Sequence, residues 1–246
     1  MMVYTHTDIG HKRSENQDST GVAVLDGAVF AVVCDGMGGS NAGSEASSRA
    51  VSVITERIQK SYRSDYDDNK IRNLLVAAVK TANAVIYDLA SAVPEWRGMG
   101  TTCVAAIARG DMLHTVNVGD SRMYRCRGGC IRQLSTDQSL VQMLYEQGRI
   151  TADEKKTHAQ KNVIFPVLGN ASEEPQPCIT EIIGGVQRGD IIIICSDGLS
   201  DYITQGEFEE ILALPMRLPR RIAKLAEAAI KNGSPDNVSV VGVSMV

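Results

Sequence analysis

The chain has 246 residues, 43% of them apolar and 22% charged, with a formal net charge of −4. That composition supplies a sizeable core and excludes a disordered chain, and the acidic balance argues against a dedicated nucleic-acid binder, which would carry a basic stripe. No run of 18 apolar residues is present, and the N-terminal stretch lacks an apolar segment of signal-peptide length, so the sequence points to a cytoplasmic protein without a membrane span.

The elements follow in chain order. The run AVFAVVC, Ala28–Cys34, predicts a buried strand. Two helices come next. Ala46, Ala50, Ile54 and Ile58 recur every four residues in the first, and Ile71, Leu74, Leu75, Ala78, Ala82, Val85, Ile86 and Leu89 form an amphipathic stripe in the second. The short runs TTCVAAIA, MLHTVNV, SRMYRC and CIRQL are separated by RGD, GD and RGG, which predicts antiparallel hairpins. Ser139–Gln147 reads as a helix and Thr151–Asn170 as an irregular exposed segment. Asp190–Gly198 reads as a second buried strand ending in an acid. Arg220–Asn232 is predicted helical, with Pro219 near its start and Gly233 just past its end, and NVSVVGVSMV closes the chain as a strand. Regular βαβ alternation is absent. The expected fold is therefore α+β, a central sandwich of two antiparallel sheets flanked by helices, in one domain over residues 1–246.

The glycine-rich stretch CDGMGGSNAGSEAS, Cys34 to Ser47, first suggests a phosphate loop. The dinucleotide fingerprint fails because Asn41 occupies the third glycine position, and the P-loop fails because Ser44 stands where lysine is required. Cys103 and Arg109 have the Cys-x5-Arg spacing of thiol phosphatases, but the residues between them form an ordinary apolar strand. Four of the six cysteines sit in or beside apolar runs. Cys126 and Cys130 flank a turn and lack the second ligand pair of a structural zinc site.

The acids carry more. Asp18, Asp35, Asp197 and Asp236 each lie at or next to an apolar strand or a sharp turn, and two of them precede glycine. Carboxylates gathered at strand ends repel one another unless a cation neutralises them. Hard divalent ions such as Mg²⁺ and Mn²⁺ take such oxygen ligands and keep several waters. For a single aspartate, helix capping or turn formation is the ordinary reading; four in this setting favour metal.

These segments, DIGHKRSENQD, CDGMGG, GMGTT, NVGDSR, SLVQMLYEQGRIT, NVIFPVLG, SDGLSD and SPDNVSVV, span nearly the whole chain. In order and spacing the sequence resembles the metal-dependent serine/threonine protein phosphatases of type 2C. The resemblance implies a helix-flanked β-sandwich with a dinuclear Mn²⁺ or Mg²⁺ centre in a cleft at one end. It implies that Asp35 bridges both ions, that Gly36 gives its carbonyl to one, and that Asp197 and Asp236 bind the second. Asp18 would touch the centre through bound water, Arg13 would hold the substrate phosphate, and Asp120 would bind a third, weaker ion together with Asp197. The implied partners are phosphorylated proteins and an opposing serine/threonine kinase, with no nucleic acid and no membrane, the chain acting as a monomer. The chain departs from the family pattern at Ser40, Ser44, Gln138 and Phe165-Pro166, which bears on the cleft rim rather than on the reaction. Met37 replaces the histidine of eukaryotic relatives, so water is the expected proton donor to the leaving oxygen. Two other readings stand beside this one: a catalytically weak phosphoprotein-binding module, which would need damaged ligands, and a phosphatase dedicated to one regulatory switch protein.

Overall fold

In β3 (Ala28–Met37), Phe30, Val32 and Cys34 face a core shared with helices, while Val29, Ala31 and Val33 face a core shared with a second sheet. Successive side chains of a strand point to opposite faces, so a strand apolar on both must be covered on both. That requirement generates four layers.

The computed structural model describes residues 1–38, 42–169, 178–182 and 185–245. One sheet runs in the order β2 (Asp18–Leu25), β3, β5 (Cys103–Arg109), β6 (Met112–Val118), β9 (Cys178–Ile182), with the short β4 (Gly100–Thr101) paired to the end of β3. The other runs β1 (Met2–Asp8), β11 (Val238–Ser244), β10 (Ile191–Cys195), β7 (Arg122–Arg127), β8 (Cys130–Gln133). Neighbouring strands pair antiparallel. Helices α1 (Ala42–Ser61) and α2 (Asp68–Ala92) cover the first sheet with Ile54, Ile58, Ile71, Leu75 and Ile86, all fully buried. Each such side chain contributes about 1.5–3 kcal/mol through burial. Helix α2 is long and apolar enough by composition to cross a membrane, but its apolar face packs in this core. Helices α6 (Gln205–Ala213) and α7 (Leu218–Lys231) cover the second sheet with Phe208, Leu212, Ile222 and Leu225. Between the sheets lie Val29, Ala31, Val33, Val104, Ile192, Ile194, Val241 and Val243.

The two antiparallel sheets with helices outside are as expected, and three details are not. β6 and β7 do not form a hairpin: β6 pairs with β5 and β9, and β7 with β10 and β8, so residues 119–121 cross from one sheet to the other. The segment 151–170 is not irregular throughout. It contains α4 (Ala152–Thr157), opened by a Thr151/Glu154 capping box, and the buried Val167 and Leu168, of which Leu168 exchanges backbone hydrogen bonds with Thr101. Its last residue, Asn170, lies outside the described residues, as does Ser40. Finally, Asp197 is not on a strand. β10 stops at Cys195, and Asp197 opens a single helical turn, α5 (Asp197–Ser200), while Ser139–Gln147 holds α3 (Leu140–Glu146) as expected.

Candidate active site

The site begins with the alternation of β3. Asp35 continues the row of Val29, Ala31 and Val33, so it faces the space between the sheets, at the end where the apolar filling stops. Register places Asp18, the first residue of β2, directly opposite Asp35. Such antiparallel partners stand side by side on one face. The backbone around Asp35 is fixed: its N–H donates to Thr102 Oγ1 (2.9 Å), and its carbonyl accepts from the Thr102 N–H (2.8 Å) and Thr101 Oγ1 (2.8 Å).

Gly36 is glycine for a steric reason. Its N–H donates to the Gln17 carbonyl (3.0 Å), and a Cβ there would lie 2.0 Å from the Gly43 carbonyl oxygen, so no other residue lets α1 start this close to β3. The glycines therefore serve the turn into α1, and Asp35 faces the cleft.

The second sheet brings the remaining groups. Ser196 Oγ donates to Asp18 Oδ2 (2.7 Å) and accepts from the Ser239 N–H (3.0 Å), tying the two sheets together at the site. Asp197 follows Ser196. Asp236 lies in the loop between α7 and β11, where Arg13 Nη2 donates to its Oδ2 at 2.7 Å. Asn237, only 3% exposed, holds the loop that carries Arg13: its Oδ1 accepts from the Gln17 N–H (2.8 Å), and its Nδ2 donates to the carbonyls of Ile9 (2.9 Å) and Glu15 (3.0 Å). Asp120 sits in the 119–121 crossing. Gln138 fixes that crossing, its side-chain carbonyl accepting from the Gly119 N–H (2.9 Å) and its backbone N–H donating to the Gly119 carbonyl (2.9 Å). Ser44, the other departure in reach, donates to Glu15 Oε1.

Arg13, Asp35, Gly36, Asp120, Asp197 and Asp236 line one cleft of about 290 Å³; Asp18 lies behind it against Ser196. Sequence reasoning missed four neighbours. Lys161 and Asp201 line the same cleft, and Lys161 forms no ion pair with a described residue. Arg122 makes a bidentate pair with Asp137 (2.9 and 2.8 Å) and reaches Asp201 at 3.0 Å. The Asp197/Asp201 spacing of four within SDGLSD and the arginine after GDS were visible signals; the Arg122–Asp137 pairing was not.

The cleft acids and Asp137 differ in their electrostatic surroundings. Burial would raise Asp137, but the Arg122 fork and Lys155 hold it below the usual carboxylate range. Asp236 pairs with Arg13 and Asp201 with Arg122, but Asp18, Asp35, Asp120 and Asp197 form no ion pair with a described residue. Burial first, then neighbouring carboxylates, pushes Asp18 up to about 7, Asp120 up to about 8 and Asp197 up to about 6, and raises Asp35 well above its ordinary value. Among the described residues Oδ1 of Asp197 is buried without a hydrogen-bond partner, and a buried acceptor left unmade is costly. Divalent cations would relieve both the repulsion and this orphaned oxygen, so the residues present fit a metal centre. Among the described residues no group of three or more His, Cys, Asp or Glu side chains is placed to hold a metal ion by side chains alone. Ions seated here would complete their spheres with carbonyl oxygen and water, as hard cations do. The cysteines stand apart: Cys103 and Cys34 are fully buried on the helix-facing side, and burial raises the Cys34 thiol, which suits packing rather than nucleophilic attack.

A stability consequence follows. The folded values of Asp18, Asp120 and Asp197 exceed the unfolded value near 4, so the metal-free folded chain binds more protons than the unfolded one, and its stability falls as pH rises from about 4 to about 8. Without metal, the melting temperature is expected to be higher at pH 5.5 than at pH 8.5. Mn²⁺ at one fixed concentration, about a hundredfold its Kd at pH 7, should add about 2.7 kcal/mol per site, or roughly 5–10 °C, with the larger gain at pH 8.5, where the ligands are deprotonated and the Kd is lower. Scanning calorimetry of metal-stripped protein checks both; a pH-independent melting temperature with no response to Mn²⁺ would oppose the charge assignment.

Comparison with known proteins agrees with this architecture. The family model described as Protein phosphatase 2C matches residues 8–231. The chain is 34% identical over 240 residues to the serine/threonine protein phosphatase PstP of Mycobacterium tuberculosis, covering 98% of this chain and 44% of the length of that relative. It is 33% identical to the serine/threonine phosphatase stp of Listeria innocua, over 96% of this chain and 92% of the relative. The solved serine/threonine phosphatase of S. agalactiae superposes with a TM-score of 0.92 at 30% identity, covering 100% of this chain and 99% of that one. The catalytic domain of PstP, solved in complex with two manganese ions, superposes with a TM-score of 0.82 at 32% identity, over 98% and 96% of the two chains. The chain belongs to the protein phosphatase 2C family.

Proposed function

We propose that this chain is a metal-dependent protein serine/threonine phosphatase that hydrolyses phosphoserine and phosphothreonine at the cleft between its sheets. The observation that carries this reading is the gathering of Asp35, Asp120, Asp197 and Asp236 in one cleft, three of them with raised carboxyl values and none of those three with a basic partner close enough to neutralise it. Membership of the family, and the two manganese ions in the PstP catalytic domain, support the same reading.

Asp35 and the Gly36 carbonyl, with Asp197 and Asp236, would hold two Mn²⁺ or Mg²⁺ ions, and Asp120 with Asp197 a third, weaker one. When bound, these ions supply an activated water and offset charge on the phosphoryl group. The chain's own residues do the rest. Asp18, held by Ser196 and opposite Asp35 in the strand register, would touch the centre through bound water. Arg13 presents a planar fork of donors to the phosphate oxygens, and Asn237 holds the loop from which it reaches. Its present partner, Asp236, is a proposed ligand, so ion binding at Asp236 would free the Arg13 fork for substrate. Asp120, also in the cleft, would assist delivery of a proton through water to the leaving seryl or threonyl oxygen. The substrates are taken to be phosphorylated proteins, with an opposing serine/threonine kinase.

The test is hydrolysis of a phosphothreonine peptide and of p-nitrophenyl phosphate by metal-stripped protein. Turnover should appear with added Mn²⁺ or Mg²⁺ and vanish in excess chelator. Full activity in chelator would overturn the metal-dependent reading; no activity with any divalent ion would favour the phosphoprotein-binding alternative.

A further inference from the structure

Beside the cleft lies a larger groove of about 780 Å³. Its walls include Met37, Tyr87, Arg97, Met99, Ile164 and Val167, and two of these, Met37 and Ile164, also line the cleft. The two spaces therefore adjoin at these residues. The cleft, at about 290 Å³, is sized for a phosphorylated side chain and its ions, not for the polypeptide on either side. A substrate chain whose phosphate occupies the cleft must leave it, and the groove is an adjoining walled space that could receive it.

We propose that this groove seats the segment of substrate polypeptide adjoining the phosphoresidue, taking an apolar side chain on its floor and an acidic one at Arg97. This rests on the phosphatase reading above. A cube of this volume has an edge of about 9 Å, the span of roughly three residues of extended chain. Most of the lining side chains are apolar, and Met37 among them is only partly buried and of a type that adapts to differently shaped partners. One side of the groove is tied down by hydrogen bonds. Leu168 and Thr101 exchange backbone hydrogen bonds (2.9 and 3.1 Å), and the Gly169 N–H donates to Asn83 Oδ1 (2.8 Å), so the groove is formed before substrate arrives. Tyr87 in the groove and Phe165, next to Ile164 in the chain, are 41% and 46% exposed, an apolar surface of the kind that marks binding. Arg97 stands exposed and forms no ion pair with a described residue, which leaves its charge available to an acidic side chain.

The experiment uses the full chain with Mn²⁺ and phosphothreonine peptides in alanine flanks. Leucine and aspartate are scanned through the four positions on each side, and p-nitrophenyl phosphate serves as the substrate without flanks. Leucine at one position within three residues should raise kcat/KM about tenfold, and aspartate at a neighbouring position several-fold. Ser91→Trp, which fills the groove from the exposed end of α2, should erase the leucine preference, and Arg97→Glu the aspartate preference. Both replace exposed side chains outside the cleft, so p-nitrophenyl phosphate turnover should stay within about twofold. Wild-type protein that hydrolyses p-nitrophenyl phosphate but ranks all the peptides equally would overturn the groove assignment, as would both variants keeping the wild-type preferences. Wild-type protein that hydrolyses neither substrate would overturn the phosphatase reading and the groove assignment with it.

Discussion

Asp35→Asn is expected to lower kcat by about 10³-fold or more on phosphopeptide and aryl phosphate alike, because it removes charge from the one position proposed to serve both ions. The fold should survive. Asparagine has the size of aspartate, and the contacts that fix this position run through its backbone, to Thr101 and Thr102. In the metal-free state the variant should melt higher than wild type at pH 8.5, since it deletes a carboxyl that burial and four neighbouring acids raise well above its ordinary value. Steady-state kinetics and melting curves on the same preparation read both effects. A folded variant with near-normal turnover would remove Asp35 from the mechanism.

Asp120→Ala should show a different signature. Its loss should cost about 10²-fold in kcat on a phosphothreonine peptide, within the range of proton-transfer catalysis, and only a few-fold on p-nitrophenyl phosphate, whose leaving group needs little protonation. Two-ion binding should persist, because Asp35, Asp197 and Asp236 remain. The crossing itself should hold as well: Gln138 grips Gly119 on one side, and Ser121 bonds Thr102 on the other (2.7 Å between hydroxyls). Equal losses on the two substrates would take Asp120 away from the leaving oxygen, and no loss on either would leave it a residue of the turn.

Much of this was legible in the sequence because strong patterns have strong causes. β3 and β10 are buried on both faces and so read as continuous apolar runs, while α1, α2 and α7 bury one stripe and repeat it. β1 and β2 were missed because they are edge strands with few buried side chains; in β2 only Asp18 and Ala23 are buried. α6 was missed although Thr204 and Glu207 spell out its capping box, which the structure forms in full. The expected hairpin between β6 and β7 failed for another reason. A short glycine turn looks the same whether the next strand returns beside its predecessor or crosses to the facing sheet. Here the tethers that carry Gly119–Ser121 across come from Thr102 and Gln138, distant in sequence. The error matters, since the crossing places Asp120 at the seam between the sheets rather than on the edge of one.

The acids of the cleft were legible as residue types at strand boundaries and turns; the groups that hold them were not. Ser196 bracing Asp18, Asn237 gripping residues 9–17, and the Arg122–Asp137 pair near Asp201 join segments up to 228 residues apart in the chain. No local pattern carries such information. Ser44 and Gln138, departures from the family pattern, are hydrogen-bonded to Glu15 and Gly119.

The central claim is that these carboxylates hold two divalent ions through Asp35. Isothermal titration of metal-stripped protein with Mn²⁺ at pH 8 addresses it directly. Wild-type protein should take up two ions per chain, with turnover rising as the second site fills, and Asp35→Asn should lose both sites together. Two ions bound by the Asp35→Asn variant with wild-type affinity would contradict the account, as would a wild-type protein that hydrolyses phosphothreonine peptide while binding none.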